Sequence, residues 1–417
     1  MNFQINTKLE KANFLKMSDI NKNYTKTASS AVELFYKRNL MHPGERINSL
    51  YKPNKRLVKV MDNTNDLYVC LYMKPIGDSI LFLSTVQAAM DYLKLTRRSN
   101  LPRIYAQSDL RPLLKHCNLF NSATYIDDVG KEFANASKSK TVAMITDGDP
   151  FEYNKGTSVV FNTENYVYPK FIEGRLQYKS RPARYYLTFE REVGTVLSTD
   201  PNLSMPTFEF PFSKEIEKNL EKKSLYLDDS QTLISVITFV NPKERQKQFG
   251  LIRYLKVANK IQKSLQNKKV KFILFAHKSE EVEEWELAQK YIKENKNLDV
   301  SIYDGCNLEE IGYILARTSL SIGNDTGVSH LAAVSRRNMQ SGLNPTIIIY
   351  SRHDFGKWST GKDNVFPIYT KLAAYLTKNN LSVGRDKLNT KVWDRQEFTL
   401  SIPISKIVNK AINLLKI

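Results

Sequence analysis

The stretch that decides the fold is Ser321-Ile322-Gly323-Asn324-Asp325-Thr326-Gly327-Val328-Ser329-His330-Leu331-Ala332-Ala333. Its apolar start predicts a strand, Gly323-Asn324 a tight turn, and the segment from Val328 onward a helix that Asp325 or Thr326 would cap. Unpaired backbone N–H groups and the positive end of the helix dipole meet at such a turn, where a phosphate binds without special side chains. The stretch therefore predicts a diphosphate seat, and an ordinary capped helix after a buried strand is the competing interpretation.

The composition is that of a globular protein. The 417 residues are 41% hydrophobic and 25% charged, and the length favours two or three domains. No apolar run approaches the roughly 18 residues of a membrane span, and Met1 to Ile20 contains no signal core. We therefore expect a cytoplasmic protein, with peripheral contact to the inner membrane left open. Cys70, Cys117 and Cys306 are far apart, which predicts free thiols rather than disulfides or a zinc site.

The chain is strongly basic. Its 62 Lys and Arg residues against 43 Asp and Glu give a formal net charge of +19, which suits an anionic partner such as a phosphorylated substrate, an acidic membrane surface or nucleic acid. Much of the excess is Lys in a chain that is also rich in Asn, so biased composition explains it equally well. Because the sequence contains no Arg-Gly-rich tail or zinc finger, no nucleic-acid partner is expected.

Strands alternate with helices in two blocks after a polar N-terminal extension, 1–65, in which one amphipathic helix is predicted from Ala31 to Leu40. A proline-rich linker, Asp200 to Phe212, separates the blocks. In block 66–205 we predict strands at Leu67–Met73, Arg103–Gln107, Ala123–Ile126 and Thr141–Thr146, and helices at Ser79–Leu93 and Arg111–Cys117. In block 206–417 we predict strands at Leu233–Val240, Lys271–Ala276, Val300–Tyr303, Leu320–Ile322 and Thr346–Tyr350, and helices at Ile252–Gln266, Glu280–Lys293, Leu308–Ala316, Gly327–Val334 and Ile404–Leu415.

This alternation predicts an α/β fold made of two Rossmann-like domains with parallel sheets that face one cleft. The last helix, Ile404–Leu415, is expected to pack back across the interface between the domains. Ligands of such sheets lie beyond the carboxyl ends of the strands. The loops that follow the strands are therefore where candidate site residues are expected.

Two of these loops carry charged residues. Lys74-Pro75-Ile76-Gly77-Asp78-Ser79 follows the first strand of the first block and places Asp78 at a glycine turn where a helix begins. Asp78 is either the cap of that helix or a base presented to the cleft, and the two roles are compatible. Asn241 to Phe249 follows the first strand of the second block. A lysine there, such as Lys247, would neutralise a diphosphate, although a solvated basic loop explains any one of these cations.

Three motifs in this order resemble the bacterial heptosyltransferases, glycosyltransferase family 9. They are Gly77-Asp78, Lys247-Gln248-Phe249 and the stretch from Gly323 to Ala333. Arg181 to Gly194 is also similar to the helix that the family has before its linker. The resemblance covers Leu67 to the C-terminus. It implies a GT-B fold, with an acceptor-binding domain at 66–205 and a nucleotide-sugar-binding domain at 206–417, and inverting transfer from a donor that is usually ADP-heptose.

The resemblance also implies residue roles. Asp78 would be the base that takes the proton from the acceptor hydroxyl. Lys247 and the backbone amides of Thr326, Gly327 and Val328 would hold the departing diphosphate. The other donor-side candidates are Asp325, which would set the turn, Ser329 and His330, which would contact phosphate, and Glu280 or Glu281, which would hold the ribose. For His330 a structural role is equally compatible with the sequence.

Asp147-Gly148-Asp149 has a second interpretation, because Asp-x-Asp after a strand holds Mn²⁺ or Mg²⁺ in another class of glycosyltransferases. Here the motif falls in the predicted acceptor domain, and Lys247 with a helix N-terminus already supplies positive charge. We therefore expect that no metal cofactor is required. Lys74, Asp147 and Asp149 are acceptor-side candidates.

The sequence departs from the family pattern at three places. The first motif begins near residue 74 rather than at the start of the chain, Phe249 replaces the usual Trp, and Ser351-Arg352-His353-Asp354 stands where a glycine- and proline-bearing loop is normal. The donor sugar, heptose or a related one, is therefore left open, as is the glycan or glycolipid acceptor. A protein-directed O-glycosyltransferase of the same fold and a non-catalytic nucleotide- or polyanion-binding protein are the alternatives.

Overall fold

The structure is a computed structural model. It describes residues 53–71, 76–148, 153–162, 180–197, 205–238, 240, 242–265, 268–278, 282–305, 307–338, 342–379 and 397–415. The helix predicted from Ala31 to Leu40 and the thiol of Cys306 lie outside these residues.

The first domain is a five-stranded sheet with helices packed against it. Its elements, in chain order, are α1 (Lys55–Asn63), β1 (Asp66–Cys70), α2 (Ile76–Arg97), β2 (Arg103–Gln107), α3 (Arg111–Leu114), β3 (Thr124–Ile126), α4 (Val129–Ala136), β4 (Val142–Thr146), β5 (Val159–Asn162) and α5 (Arg181–Val193). The strand order is β3-β2-β1-β4-β5, and all neighbours are parallel. Strands β1, β4 and β5 are buried along their whole length, as expected where helices cover both faces of a parallel sheet.

The second domain is built in the same way around six parallel strands. Its elements, with those of the linker, are β6 (Phe208–Glu209), α6 (Lys214–Lys222), β7 (Thr232–Ile237), α7 (Leu251–Ser264), β8 (Val270–Phe275), α8 (Val282–Glu294), β9 (Val300–Tyr303), α9 (Leu308–Leu315), β10 (Leu320–Asn324), α10 (Gly327–Val334), β11 (Ser335–Arg336), β12 (Thr346–Tyr350), α11 (Phe355–Trp358), β13 (Val365–Tyr369), α12 (Lys371–Asn379), α13 (Glu397–Leu400) and α14 (Ile404–Leu415). The strand order is β13-β12-β10-β7-β8-β9, and β11 pairs with β6. The predicted α/β class with two parallel sheets is confirmed.

Helix α1 was not predicted, because its sequence falls in the polar segment interpreted as an extension. Asn54 caps it by accepting a hydrogen bond from the Leu57 amide at 3.1 Å. Leu57, Val60 and Met61 lie on its buried side and join the core of the first domain. The end of this segment is therefore part of the first domain's packing.

Helix α14 packs within its own domain. Its buried residues Ile407, Val408 and Ala411 belong to the same apolar cluster as Leu255 and Ala258 of α7. The expectation that the last helix packs across the domain interface is therefore wrong.

A single apolar cluster joins the two domains. It contains Phe82 of α2 and Tyr185 of α5 from the first domain together with Ile311 of α9 and Leu331 of α10 from the second, all of them at most 5% exposed. Burial of apolar surface therefore holds the domains together along the flank of the cleft. Within the part of the chain that the structure describes, no helix is long and apolar enough to cross a membrane.

Candidate active site

Strand β10 ends at Asn324, whose side chain ties the turn after it to the loop that carries Lys247. The Asn324 Oδ1 accepts hydrogen bonds from the Phe249 amide at 3.3 Å and from the Tyr254 hydroxyl at 2.9 Å. Its Nδ2 donates to the Thr238 carbonyl at 2.7 Å. Because Asn324 is fully buried, all of its polar atoms need such partners. The residue fixes the carboxyl ends of β7 and β10 relative to each other.

Asp325 lies between two basic side chains at this edge. Its Oδ2 is 3.7 Å from Lys247 Nζ and its Oδ1 is 3.5 Å from His330 Nε2, and each of these side chains is less than one-tenth exposed. The Lys247 ammonium also donates to the Asp325 carbonyl at 3.3 Å. Burial alone would raise the pKa of Asp325, but Lys247 and His330 hold the pKa of this carboxyl well below its usual range. Asp325 is therefore an anion that fixes the position of the lysine.

A second carboxylate, which the sequence did not point to, contacts the same lysine. Glu244 Oε2 is 3.1 Å from Lys247 Nζ, and Glu244 Oε1 is 3.8 Å from His353 Nε2. Burial would raise the pKa of Glu244, but His353 and Lys247 lower it to about 2. Burial and the charge of Lys247 lower the pKa of His353. The lysine is thus held between two carboxylates, and the loop that departs from the family pattern supplies the histidine.

The N-terminus of α10 opens beside this charged cluster. Thr326 occupies the N-cap position, which confirms one of the two predicted positions, but its side chain makes no capping hydrogen bond. The first-turn N–H groups, including those of Gly327 and Val328, have no acceptor within the helix. Among the residues that the structure describes, the buried Thr326 Oγ1 and His330 Nδ1 have no hydrogen-bond partner. Since such burial is costly, these atoms favour a polar ligand at this turn.

Ser329, in the same helix, has a hydrogen-bond partner within the protein. Its hydroxyl is fully buried and donates to the Asn324 carbonyl at 2.6 Å. A Cβ added at Gly323 would come within 2.5 Å of this hydroxyl oxygen. The residue therefore holds the helix against the end of β10, and the glycine provides the room for it.

Asp78 lies in the first turn of α2, directly after Gly77. Because α2 begins at Ile76, Asp78 is the third residue of the helix, and the interpretation as its N-cap is wrong. A Cβ added at Gly77 would lie 3.0 Å from Gly327 Cα and 3.2 Å from His330 Cδ2. The N-termini of α2 and α10 are therefore in backbone contact. This contact brings the turn that carries Asp78 against the turn that carries Asp325.

Asp78 also contacts an arginine from the helix before the linker. Arg181 Nη1 is 3.7 Å from Asp78 Oδ1. The guanidinium carbon of Arg181 lies 4.2 Å from the ring centroid of Trp358. Because Trp358 belongs to the second domain, these contacts cross the cleft. Trp358 was not among the candidates from the sequence.

Of the remaining candidates from the sequence, only Asp147 lies within the described residues. Lys74, Asp149, Glu280 and Glu281 lie outside the described residues. Asp147 follows β4 in the first domain and is only 4% exposed. Among the described residues, no group of three or more His, Cys, Asp or Glu side chains is arranged to hold a metal ion.

Two parallel α/β sheets whose carboxyl ends meet at one site, with a cation and a helix N-terminus opposite a carboxylate, are the arrangement of the GT-B fold. Solved structures show the same fold. The glycosyl transferase family 9 protein from Veillonella parvula is 14% identical, with 85% of this chain and 99% of that chain covered and a TM-score of 0.57. The ADP-heptose LPS heptosyltransferase II from E. coli is 12% identical, with 84% and 98% covered and a TM-score of 0.51. At these identities the similarity shows the fold.

Part of the sequence matches a family model. Residues 212–382 match the model of glycosyltransferase family 9 (heptosyltransferase). This match covers less than half of the chain and contains the motifs at Lys247-Gln248-Phe249 and at Gly323 to Ala333, but not Gly77-Asp78. It supports a glycosyltransferase, and the resemblance to this family is confirmed. A comparison with curated proteins gave no match.

Proposed function

We propose that the chain is an inverting glycosyltransferase that moves a sugar, heptose or a related one, from a nucleotide-diphosphate sugar to a hydroxyl of a lipopolysaccharide core, capsule or other surface glycan. One observation carries this proposal. The turn with Asp78 touches the turn with Asp325 through Gly77 and Gly327, so a base and an anion seat lie on opposite sides of one site. On this proposal the domain 66–205 binds the acceptor and 206–417 the donor.

The reaction assigns one task to Asp78. Its carboxylate takes the proton of the acceptor hydroxyl while the hydroxyl oxygen attacks the anomeric carbon of the donor. The bond between that carbon and the diphosphate oxygen breaks from the opposite side, so the configuration inverts and a nucleoside diphosphate leaves. The side chain of Asp78 is 25% exposed, which leaves it open to an acceptor in the cleft.

The second domain stabilises the departing diphosphate. Its negative charge grows in the transition state, where fixed donors and cations are most effective. Lys247 is positioned by Asp325 and Glu244, and the first-turn amides of α10 point to the same place. The Thr326 Oγ1, which has no hydrogen-bond partner among the described residues, adds a further donor. On this proposal these groups, rather than a metal cofactor, bind the diphosphate.

The test of this assignment separates chemistry from binding. Asp78→Asn removes the base and keeps the shape of the side chain, so we expect transfer to fall by about 10²–10⁴-fold while the Kd for the donor, measured by calorimetry, changes less than about threefold. Asp109→Asn, at an exposed site in the same domain, is the matched control and should transfer normally. An Asp78→Asn variant with full activity would remove the base assignment.

The donor and the acceptor need separate experiments. A thermal-shift screen with ADP-, GDP-, UDP- and CMP-linked sugars should raise the Tm only with the true donor, because a ligand selective for the folded state stabilises it. An ADP-heptose-like compound is the expected hit. Incubation with glycolipid, polysaccharide and protein acceptors followed by mass spectrometry then identifies the product. Salt-sensitive binding to polyanions without any response to sugar nucleotides would contradict the enzyme.

A further inference from the structure

We propose that Arg181 is a positioning residue of the transfer reaction. It holds the Asp78 carboxylate in the cleft, and Trp358 holds Arg181, so that the base is aligned only while the two domains are together. This inference rests on the proposed role of Asp78 as the base. It adds Arg181 and Trp358, which lie outside the three motifs, to the residues that transfer requires.

Arg181 and Asp78 form a charge pair whose geometry leaves the carboxylate able to accept a proton. The separation of 3.7 Å is longer than the roughly 2.7–2.9 Å of a charge-assisted hydrogen bond. The arginine side chain is 10% exposed, whereas that of Asp78 is 25% exposed. The cation therefore restrains the carboxylate from the buried side, and the lone pairs of Asp78 remain available to an acceptor hydroxyl.

Two aromatic rings hold the guanidinium in place. Its central carbon lies 4.2 Å from the ring centroid of Trp358 and 5.7 Å from that of Tyr185. Tyr185 comes from the same helix as Arg181, whereas Trp358 comes from the second domain. A planar guanidinium stacks on such rings better than an ammonium does. The position of Arg181 therefore depends on the second domain being in contact with the first.

The loop that presents Trp358 is held by hydrogen bonds of its own. The Asp354 side chain accepts hydrogen bonds from the amides of Gly356 at 2.9 Å and Lys357 at 3.3 Å, which builds the short helix that ends at Trp358. The His353 ring lies 5.4 Å from the Trp358 ring, and His353 also contacts Glu244. One loop therefore touches both the arginine beside the base and the carboxylate beside Lys247.

The first experiment measures kcat and the donor Kd separately. Arg181→Ala should lower kcat by about 10–100-fold, since a carboxylate displaced by about 1 Å loses this much, with the donor Kd within threefold of wild type. Arg181→Lys keeps the charge and loses the stacking, and should recover part of kcat. Arg111→Ala removes another arginine that lies over a ring, 5.7 Å from the centroid of Tyr125, and should leave kcat unchanged.

A double-mutant cycle tests whether Trp358 acts through Arg181. Trp358→Leu should lower kcat about threefold to tenfold. The double variant with Arg181→Lys and Trp358→Leu should have a kcat no lower than that of the less active single variant, because both substitutions remove the same contact between Arg181 and Trp358. Multiplicative effects would contradict the coupling. An Arg181→Ala variant with wild-type kcat, or one whose donor Kd rises as much as kcat falls, would overturn the positioning role.

A second readout does not depend on transfer. With Trp285 and Trp393 replaced by Phe, Trp358 is the one remaining tryptophan of the three. Asp78→Asn and Arg181→Lys should both increase acrylamide quenching of Trp358, since each loosens the guanidinium over the ring, whereas Asp109→Asn should not. Unchanged quenching in both variants overturns the inference. Changed quenching in a chain that transfers no sugar from any donor would instead overturn the proposed function.

Discussion

An alanine at position 327 should separate the two helix N-termini that meet at the site. A Cβ there would collide with the Ile76 side chain and lie 2.5 Å from the Gly77 amide nitrogen, whereas ordinary contact begins at 3.4 Å, so a gap of about 0.9 Å must be opened. The Ile76 side chain can rotate, but the Gly77 backbone cannot. Because α2 and α10 belong to different domains, the strain is relieved by moving the domains apart.

The expected size of the effect follows from this displacement. Overpacking of a close contact costs about 1–3 kcal/mol, so the free energy of unfolding should fall by this amount. A misplacement of about 1 Å between reacting groups costs on the order of 10²-fold in rate, so transfer should fall by up to this factor. Gly327→Ala retains the backbone N–H, and a lost phosphate donor therefore does not explain the result.

A graded series of three glycines makes the assay selective. In Gly77→Ala the new Cβ meets atoms at 3.0–3.3 Å, and in Gly342→Ala it meets no atom within 4 Å. Denaturant unfolding and kcat/KM should therefore both rank Gly342→Ala nearest to wild type, Gly77→Ala next and Gly327→Ala lowest. If Gly327→Ala matches Gly342→Ala in both measurements, the close contact between the helices is not needed for stability or transfer.

Three further perturbations test the charged cluster. Lys247→Met leaves Asp325 buried without its cation, and the free energy of unfolding measured in urea should fall by about 3–5 kcal/mol; adding Asp325→Asn should recover part of it, and no recovery would contradict the pairing. The pKa of Glu244 is about 2 in the folded state against an ordinary 4.5, so its stabilisation is complete above about pH 4.5 and is lost as the pH falls toward 2; urea unfolding across this range should show a shallower loss in Glu244→Gln than in wild type, and equal slopes would exclude the effect. Transfer should be unaffected by EDTA, because Lys247 and the helix amides carry the positive potential; a loss that Mg²⁺ or Mn²⁺ restores would show that a metal is needed.

Much of the second sheet was predictable because its strands are short, apolar and bounded by turn residues. The bounds of β9, β12 and α10 agree with those predicted, since β-branched residues mark the two strands and the glycine turn marks the helix. Strands β5 and β13 were missed. Val159–Asn162 has only four residues, and Val365–Tyr369 contains a proline, which lowers its resemblance to a strand.

Motif order places three candidate residues at the edge of the sheets, whereas the contacts around them could not be predicted from the sequence. Asp78, Lys247 and Asp325 follow strands whose carboxyl ends must meet in this fold. Glu244 is three residues before Lys247, but only the kinked turn at Pro242–Lys247 makes both side chains face the same cluster. Arg181 reaches Asp78 because α5 packs on α2. The two residues are far apart in the sequence, so no local pattern predicts that they meet.

The apolar cluster that joins the domains limits how modular this enzyme is. Ile311 and Leu331 of the second domain are covered by residues of the first, and a chain cut at the linker would expose them to water. We therefore expect neither half to remain soluble when expressed alone. For the same reason, a chimaera that borrows the second domain of a relative would need matching residues on α2 and α5, so donor preference in this chain is better altered loop by loop than by exchange of whole domains.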